Sequence, residues 1–205
     1  VTTFFLVRHA VTEHTGKKLS GWMEGISLTE QGREQAEQVA DSLADAGFDA
    51  IYSSPIARTL ETANAIAKRH EVSVQTRRDL GEVEYGGWTN RQLKSLMRTK
   101  LWTTVQRWPS AARFPNGETL REVQVRALGE IEKIAADHPK GKVCCVSHGD
   151  VIKLVLAHYL GVHIDLFQRI VVAPASVSVF SLSDRGPMIL SVNAMPMSIP
   201  VKESS

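Results

Sequence analysis

Two hydrophobic periods interleave along the chain. Thr2-Thr3-Phe4-Phe5-Leu6-Val7 breaks off at Arg8-His9, and a short unbroken apolar run of this kind predicts a strand, Phe4 to Val7, buried on both faces of a parallel sheet. From Ser27 the period lengthens to that of a helix. Ser27 and Glu30 have capping-box spacing, Ala36, Val39, Ala40 and Leu43 share a face, and Gly47 supplies the stop. A second strand is predicted from Phe48 to Tyr52. Ser53-Ser54-Pro55 then reads as a helix start, with Ser54 as N-cap, Pro55 in the first helical position, and Ile56, Leu60, Ala63 and Ala67 as the buried stripe.

The alternation continues with a short strand at Val72 to Thr76 and a long helix opened by Thr119-Leu-Arg-Glu122, with Leu120, Val123, Ala127, Ile131 and Ile134 facing inward. Lys142 to Ser147 is the next buried strand, and Val151 to Leu160 a helix closed by Gly161. The alternating Ser176 to Val179 predicts a further strand, paired with Met188 to Val192 through a turn at Asp184 to Pro187. This order implies an α/β three-layer sandwich with a mostly parallel central sheet and helices on both faces. The whole chain, residues 1–205, is expected to be one domain, carrying a small inserted cap over about 86–117 and a flexible tail after Asn193.

Composition narrows the function classes. The 205 residues are 43% hydrophobic and 22% charged, enough to bury a core without disulfides or a structural metal. Lys+Arg 24 against Asp+Glu 22 leaves a formal net charge of +2, too balanced for a nucleic-acid binder. No targeting or membrane-spanning run is evident, so a cytoplasmic location without membrane partners is expected. Cys144 and Cys145 are neighbours in an apolar run, suited to packing in a reducing compartment. The average hides one uneven stretch. Tyr85 to Gly117 holds no Asp or Glu, but it holds Arg91, Lys94, Arg98, Lys100, Arg107, Arg113 and three tryptophans, Trp88, Trp102 and Trp108. One reading is a solvated face anchored by tryptophans. The other is a basic, aromatic rim over a binding site, favouring a substrate with a second anionic group or a flat ring.

Candidate chemistry falls at the carboxyl ends of predicted strands, where open α/β sheets bind ligands. Arg8-His9 follows the first strand, His148-Gly149 follows the strand ending at Ser147, and Arg58 lies in the first turns of the helix after Ser54. Helix N-termini and arginine forks suit a phosphate. Two histidines and a carboxylate also make up a zinc set, but the adjacent arginines oppose a divalent ion, so no metal or other cofactor is expected. No G-x-S-x-G elbow supports a serine hydrolase.

Leu6-Val-Arg-His-Ala10, Tyr52-Ser-Ser-Pro-Ile-Ala-Arg-Thr-Leu-Glu-Thr-Ala63, Leu80-Gly-Glu-Val-Glu-Tyr-Gly86, Pro115-Asn-Gly-Glu-Thr119 and Val146-Ser-His-Gly149 occur in the order seen in the histidine phosphatase superfamily, the phosphoglycerate-mutase-like proteins, which the chain resembles over roughly residues 4 to 160. The resemblance implies that His9 attacks phosphorus to form a phosphohistidine, that Arg8, Arg58 and His148 hold the phosphoryl oxygens, and that Glu82 is the general acid and then base. It also implies that Thr15, Ser20 and Gly21 are secondary phosphate-pocket positions and that Gly149 donates its backbone N–H. Ala10-Val11 replaces the usual Gly-Glu, and Thr15 stands where Asn is frequent, which alters the pocket wall without removing a charged group.

The expected partner is a small phosphorylated substrate and the expected reaction metal-free hydrolysis of a phosphomonoester. The segment before Pro115 is shorter than in mutases and lacks their paired arginines, which leaves phosphomutase transfer as the alternative and a catalytically dead phospho-ligand-binding protein as a third reading. Homodimers are common in the family, and no stretch of sequence identifies an interface. An acidic-side limb is expected in the pH-rate profile.

Overall fold

The computed structural model describes residues 1–196. Six strands form one sheet: β1 (Thr2–Arg8), β2 (Ala50–Ser53), β3 (Val74–Thr76), β4 (Lys142–Ser147), β5 (Val177–Ser183) and β6 (Gly186–Ala194), in the order β3-β2-β4-β1-β5-β6. The first four in that order run parallel, β5 pairs antiparallel with β1, and β6 pairs antiparallel with β5. The sheet is therefore mostly parallel, and its period-two alternation feeds two cores. Phe4, Leu6, Tyr52, Val143 and Cys145 point to one face, and Val7, Ile51, Cys144 and Val146 to the other. Both cysteines are free and fully buried, and burial pushes both thiols up. They pack as small apolar residues.

Helices α1 (Glu30–Ser42) and α2 (Ala57–Ala67) cover the second face, and α5 (Leu120–Asp137) and α6 (Gly149–Tyr159) cover the first. Helix α5 follows local rules closely: both halves of the Thr119/Glu122 capping box form, and its five expected inward residues are buried. Helix α1 does not start as its spacing predicts. Leu28 bridges Thr12, and the Thr29 N–H donates to the Val11 carbonyl, so the chain stays extended through Leu28 and the cap is Thr29, which accepts from Gly32 N. Helix α2 likewise begins without a side-chain cap, at Ile56; the Ser54 hydroxyl lies 2.9 Å from His148 Nε2 and accepts from Ile56 N at 3.4 Å, one step short of the first helical N–H groups. Its buried side is Arg58, Thr59, Thr62, Ala63, Ala65 and Ile66, leaving Leu60 and Ala67 only half-buried. That polar buried face is the part of the helix that meets the site.

The segment over 86–117 folds as two short helices, α3 (Leu93–Leu96) and α4 (Lys100–Arg107), between 3-10 turns at 86–88 and 109–111. Trp88 and Trp102 stack at 6.2 Å, and Trp88 and Tyr85 each meet the Phe114 ring edge-on. The six basic residues of this stretch are all exposed, and Trp108 is 62% exposed. Of the flexible tail expected after Asn193, Ala194 belongs to β6, and residues 197–205 lie outside the described residues. No helix among the described residues is long and apolar enough to cross a membrane.

Candidate active site

Strands β1, β4 and β2 are neighbours, so their carboxyl ends deliver Arg8-His9, His148-Gly149 and the Ser54 to Arg58 turn to one edge of the sheet. A cavity of about 290 Å³ opens there, lined by Arg8, His9, Thr15, Ser20, Arg58, Glu82 and Gly149 among others. Two of the expected site residues do not line it. Gly21 sits behind Arg58 in a left-handed conformation (φ 52°), and its carbonyl accepts from Arg58 Nη2 at 2.9 Å. It holds the arginine from behind. His148 is fully buried and touches Arg58 and Glu82, not the open cavity.

Hydrogen bonding sets both histidine tautomers. His9 Nδ1 lies 2.7 Å from the Ala10 carbonyl, which can only accept, so Nδ1 carries the proton and Nε2 presents its lone pair, 3.3 Å from Arg58 Nε. His148 Nδ1 faces Arg58 Nη2 at 3.3 Å, and a guanidinium can only donate, so the His148 proton is on Nε2 and goes to Ser54 Oγ. Burial, with Arg58 beside each ring, holds both imidazoles well below the ordinary histidine range. Both are neutral near pH 7. His148 therefore adds no positive charge to the free site.

Arg58 is 1% exposed. Its Nη1, and the Nε of Arg8, are buried with no partner among the described residues. A buried guanidinium N–H left unpaired is costly, and two cations with spare donors at one cavity wall form an anion cradle. Gly149 completes it at the N-terminus of α6. A Cβ there would come within 3.1 Å of the Arg8 guanidinium, so glycine lets Arg8 lie against the helix end.

Glu82 is held by its backbone. Its carbonyl accepts from Trp22 Nε1 at 2.6 Å and from Arg126 Nη2 at 2.9 Å. Its Oε1 accepts from Val83 N, leaving Oε2 near His148 and Arg58 at 3.6 and 3.9 Å. Burial pushes the carboxyl up to about 7, Asp150 adding to the shift and Arg58 and Arg8 opposing it. Desolvation therefore outweighs the two arginines, and the carboxyl exchanges its proton near neutrality, protonated below about pH 7 and ionised above it.

Arg126 had no signal in the sequence, where it reads as the polar side of an amphipathic helix. It donates to the carbonyls of Asp79, Gly81 and Glu82 and makes two bonds to the Glu118 carboxylate. Arg126→Ala is expected to cost about 2–3 kcal/mol of stability and to slow turnover by loosening Glu82; urea denaturation beside kinetics checks both. Other missed lining residues are Thr12, His14, Lys18, Tyr85, Asp150, Lys153 and Gln168. Tyr85 and Asp150 lie beside quoted motif residues, a signal that could have found them, whereas Gln168 had none.

The expected basic rim is absent. None of Arg91, Lys94, Arg98, Lys100, Arg107 and Arg113 lines the cavity, and the inserted segment contributes Trp88, Leu93, Trp102, Val105, Gln106 and Phe114. The additional lining cations are Lys18 and Lys153, from other parts of the chain. Among the described residues no group of three or more His, Cys, Asp and Glu side chains is placed to hold a metal ion.

A family model described as the histidine phosphatase superfamily (branch 1) matches residues 4–195. Phosphoserine phosphatase 1 of Hydrogenobacter thermophilus is 31% identical over 191 residues, covering 92% of this chain and 90% of that protein. The probable phosphoglycerate mutase GpmB of Proteus mirabilis is 29% identical over 178 residues, covering 85% of this chain and 82% of that one. A solved structure, phosphoserine phosphatase from Entamoeba histolytica in complex with 3-phosphoglyceric acid, has the same fold, with a TM-score of 0.85 at 24% identity over 95% of this chain and 98% of the other.

Proposed function

The chain belongs to the histidine phosphatase superfamily, and from that premise we propose that it hydrolyses small phosphomonoesters through a phosphohistidine at His9 without a metal ion. The observation that carries the reading is the pair of buried guanidinium nitrogens without a partner, Arg8 Nε and Arg58 Nη1, beside His9, whose Nε2 is the unprotonated ring nitrogen and accepts from Arg58 Nε at 3.3 Å. A phosphomonoester brings about two negative charges. Two arginines match them, so the charge balance requires no divalent ion.

In the first step His9 Nε2 bonds to phosphorus as the ester P–O bond breaks, and Glu82 gives its proton to the departing oxygen. Positive charge develops on the imidazole, and the Nδ1 proton shared with the Ala10 carbonyl stabilises it. Arg8, Arg58 and the Gly149 N–H hold the phosphoryl oxygens, with Thr15 and Ser20 at the wall; charge spread over three equatorial oxygens is what such donors stabilise. His148 acts from behind, fixing Arg58 and Glu82. In the second step the Glu82 carboxylate takes a proton from water, the oxygen attacks phosphorus, and the P–N bond breaks. Orthophosphate leaves, with His9 neutral and Glu82 protonated again. Free, buried Cys144 and Cys145 support a reducing, cytoplasmic setting.

The sign of the pH dependence follows from the two shifts. Glu82 must be protonated to act first, so kcat/KM is expected to fall as pH rises through about 7. His9 must be neutral, so the acidic limb falls well below the ordinary histidine value. A profile for an alkyl phosphate that stays level through pH 7 contradicts the assignment of Glu82. The function itself is tested by orthophosphate release from p-nitrophenyl phosphate with a chelator present. Undiminished release is expected. Release that requires an added metal, or phosphoryl transfer to a second organic phosphate in place of orthophosphate, overturns metal-free hydrolysis.

A further inference from the structure

The wall facing the phosphate cradle is apolar. Trp88, Leu93, Trp102, Val105 and Phe114 line the cavity together from one inserted segment, whose charged side chains all point to solvent. Two of them, Leu93 and Trp102, are only half-buried, and so can be reached by a ligand. Trp88 backs Trp102 by stacking, and Phe114 backs Trp88 edge-on. That order makes the wall a stiff aromatic surface whose ring face costs little entropy to cover. Asp150, Lys153 and Gln168 also line the cavity, Asp150 and Gln168 each bonded to the Lys153 ammonium, at 3.5 and 3.1 Å. The Asp150 and Lys153 charges are thus mutually compensated, and beyond the phosphate cradle the lining that remains is the apolar face together with Lys18, whose ammonium is bonded to the Asn90 amide oxygen.

Resting on the phosphatase reading, we propose that the physiological leaving group is an alcohol with an apolar body of about one ring, which lies against Trp102 and Leu93 while its phosphate occupies the cradle of Arg8, Arg58 and Gly149. The size limit comes from the cavity, about 290 Å³, at the lower edge of the roughly 300–1,000 Å³ of sites for drug-sized ligands. A small polar alcohol leaves the apolar wall uncovered and gains nothing from it.

The test compares 2-phenylethyl phosphate with ethyl phosphate, whose alcohols leave about equally well, so that the ratio of kcat/KM reads contact with the wall and not the chemistry. A preference of about 10- to 100-fold for the phenylethyl ester is expected in the wild type, and the ratio, read within each variant, is expected to fall toward unity in Trp102→Ala and in Leu93→Ser. A wild-type ratio near one overturns the inference, as does a preference that survives both substitutions. The wild-type ratio decides the matter even where a variant fails to fold. Turnover of neither ester, with none of p-nitrophenyl phosphate, overturns the phosphatase reading itself, a result distinct from equal turnover of both.

Discussion

His9→Ala is expected to lower hydrolysis of every phosphomonoester by about five to six powers of ten, the scale seen when a covalent nucleophile is removed from an otherwise intact site. The loss should be almost independent of leaving group, because the substitution removes the atom that accepts the phosphoryl group. Binding should survive. Arg8, Arg58 and Gly149 do not depend on the imidazole for their own positions: Arg8 is tied to the Val172 carbonyl at 2.6 Å and Arg58 to the Gly21 carbonyl. Losing the ring also removes the acceptor now facing Arg58 Nε, which frees one more donor for phosphate. A variant that binds orthophosphate as tightly as the wild type and turns over nothing is the expected result, read by calorimetry and single-turnover kinetics. Retained turnover would sink the covalent mechanism.

Glu82→Gln should slow an alkyl phosphate by about two to four powers of ten. Glutamine keeps the shape and can accept the Val83 N–H as Glu82 Oε1 does, so the loss isolates the proton. An ester with a good leaving group needs little protonation and should lose far less in the first step. Dephosphorylation still needs a base for water, so the phosphoenzyme should accumulate in the variant. The alkaline limb near pH 7 should vanish with the carboxyl. An alkyl phosphate cleaved at the wild-type rate would remove Glu82 from the mechanism.

Strand β4 and helix α5 were legible because their signals are local: an apolar run bounded by polar ends, and a capping box whose two bonds close within three residues. Ser27 and Ser54 carry equally good local signals and cap neither helix: the Leu28–Thr12 bridge keeps the chain extended past Ser27, and the Ser54 hydroxyl bonds Ile56 N and His148 instead. The placement of Arg8, His9, Arg58 and His148 at strand ends was readable from periodicity. Glu82 was not, because it sits on irregular chain between elements and became a candidate only through resemblance to a family. Its raised pKa depends on burial by partners distant in sequence, Arg126 and Trp22 among those that hold it. The inserted segment shows the converse failure. Its composition is basic, but a segment's charge does not say which way its side chains point, and here hydration takes the cations outward and leaves the aromatic rings on the cavity.

The central claim is that a phosphoryl group passes through His9. Rapid quenching of Glu82→Gln after mixing with p-nitrophenyl phosphate, followed by mass spectrometry of peptides kept at alkaline pH, tests it most directly. One phosphoryl group is expected on the peptide containing His9, labile to acid, and none when the same experiment is run with His9→Ala. Orthophosphate released by the wild type with no phosphoryl group ever found on His9, or a phosphoryl group on another residue, would contradict it.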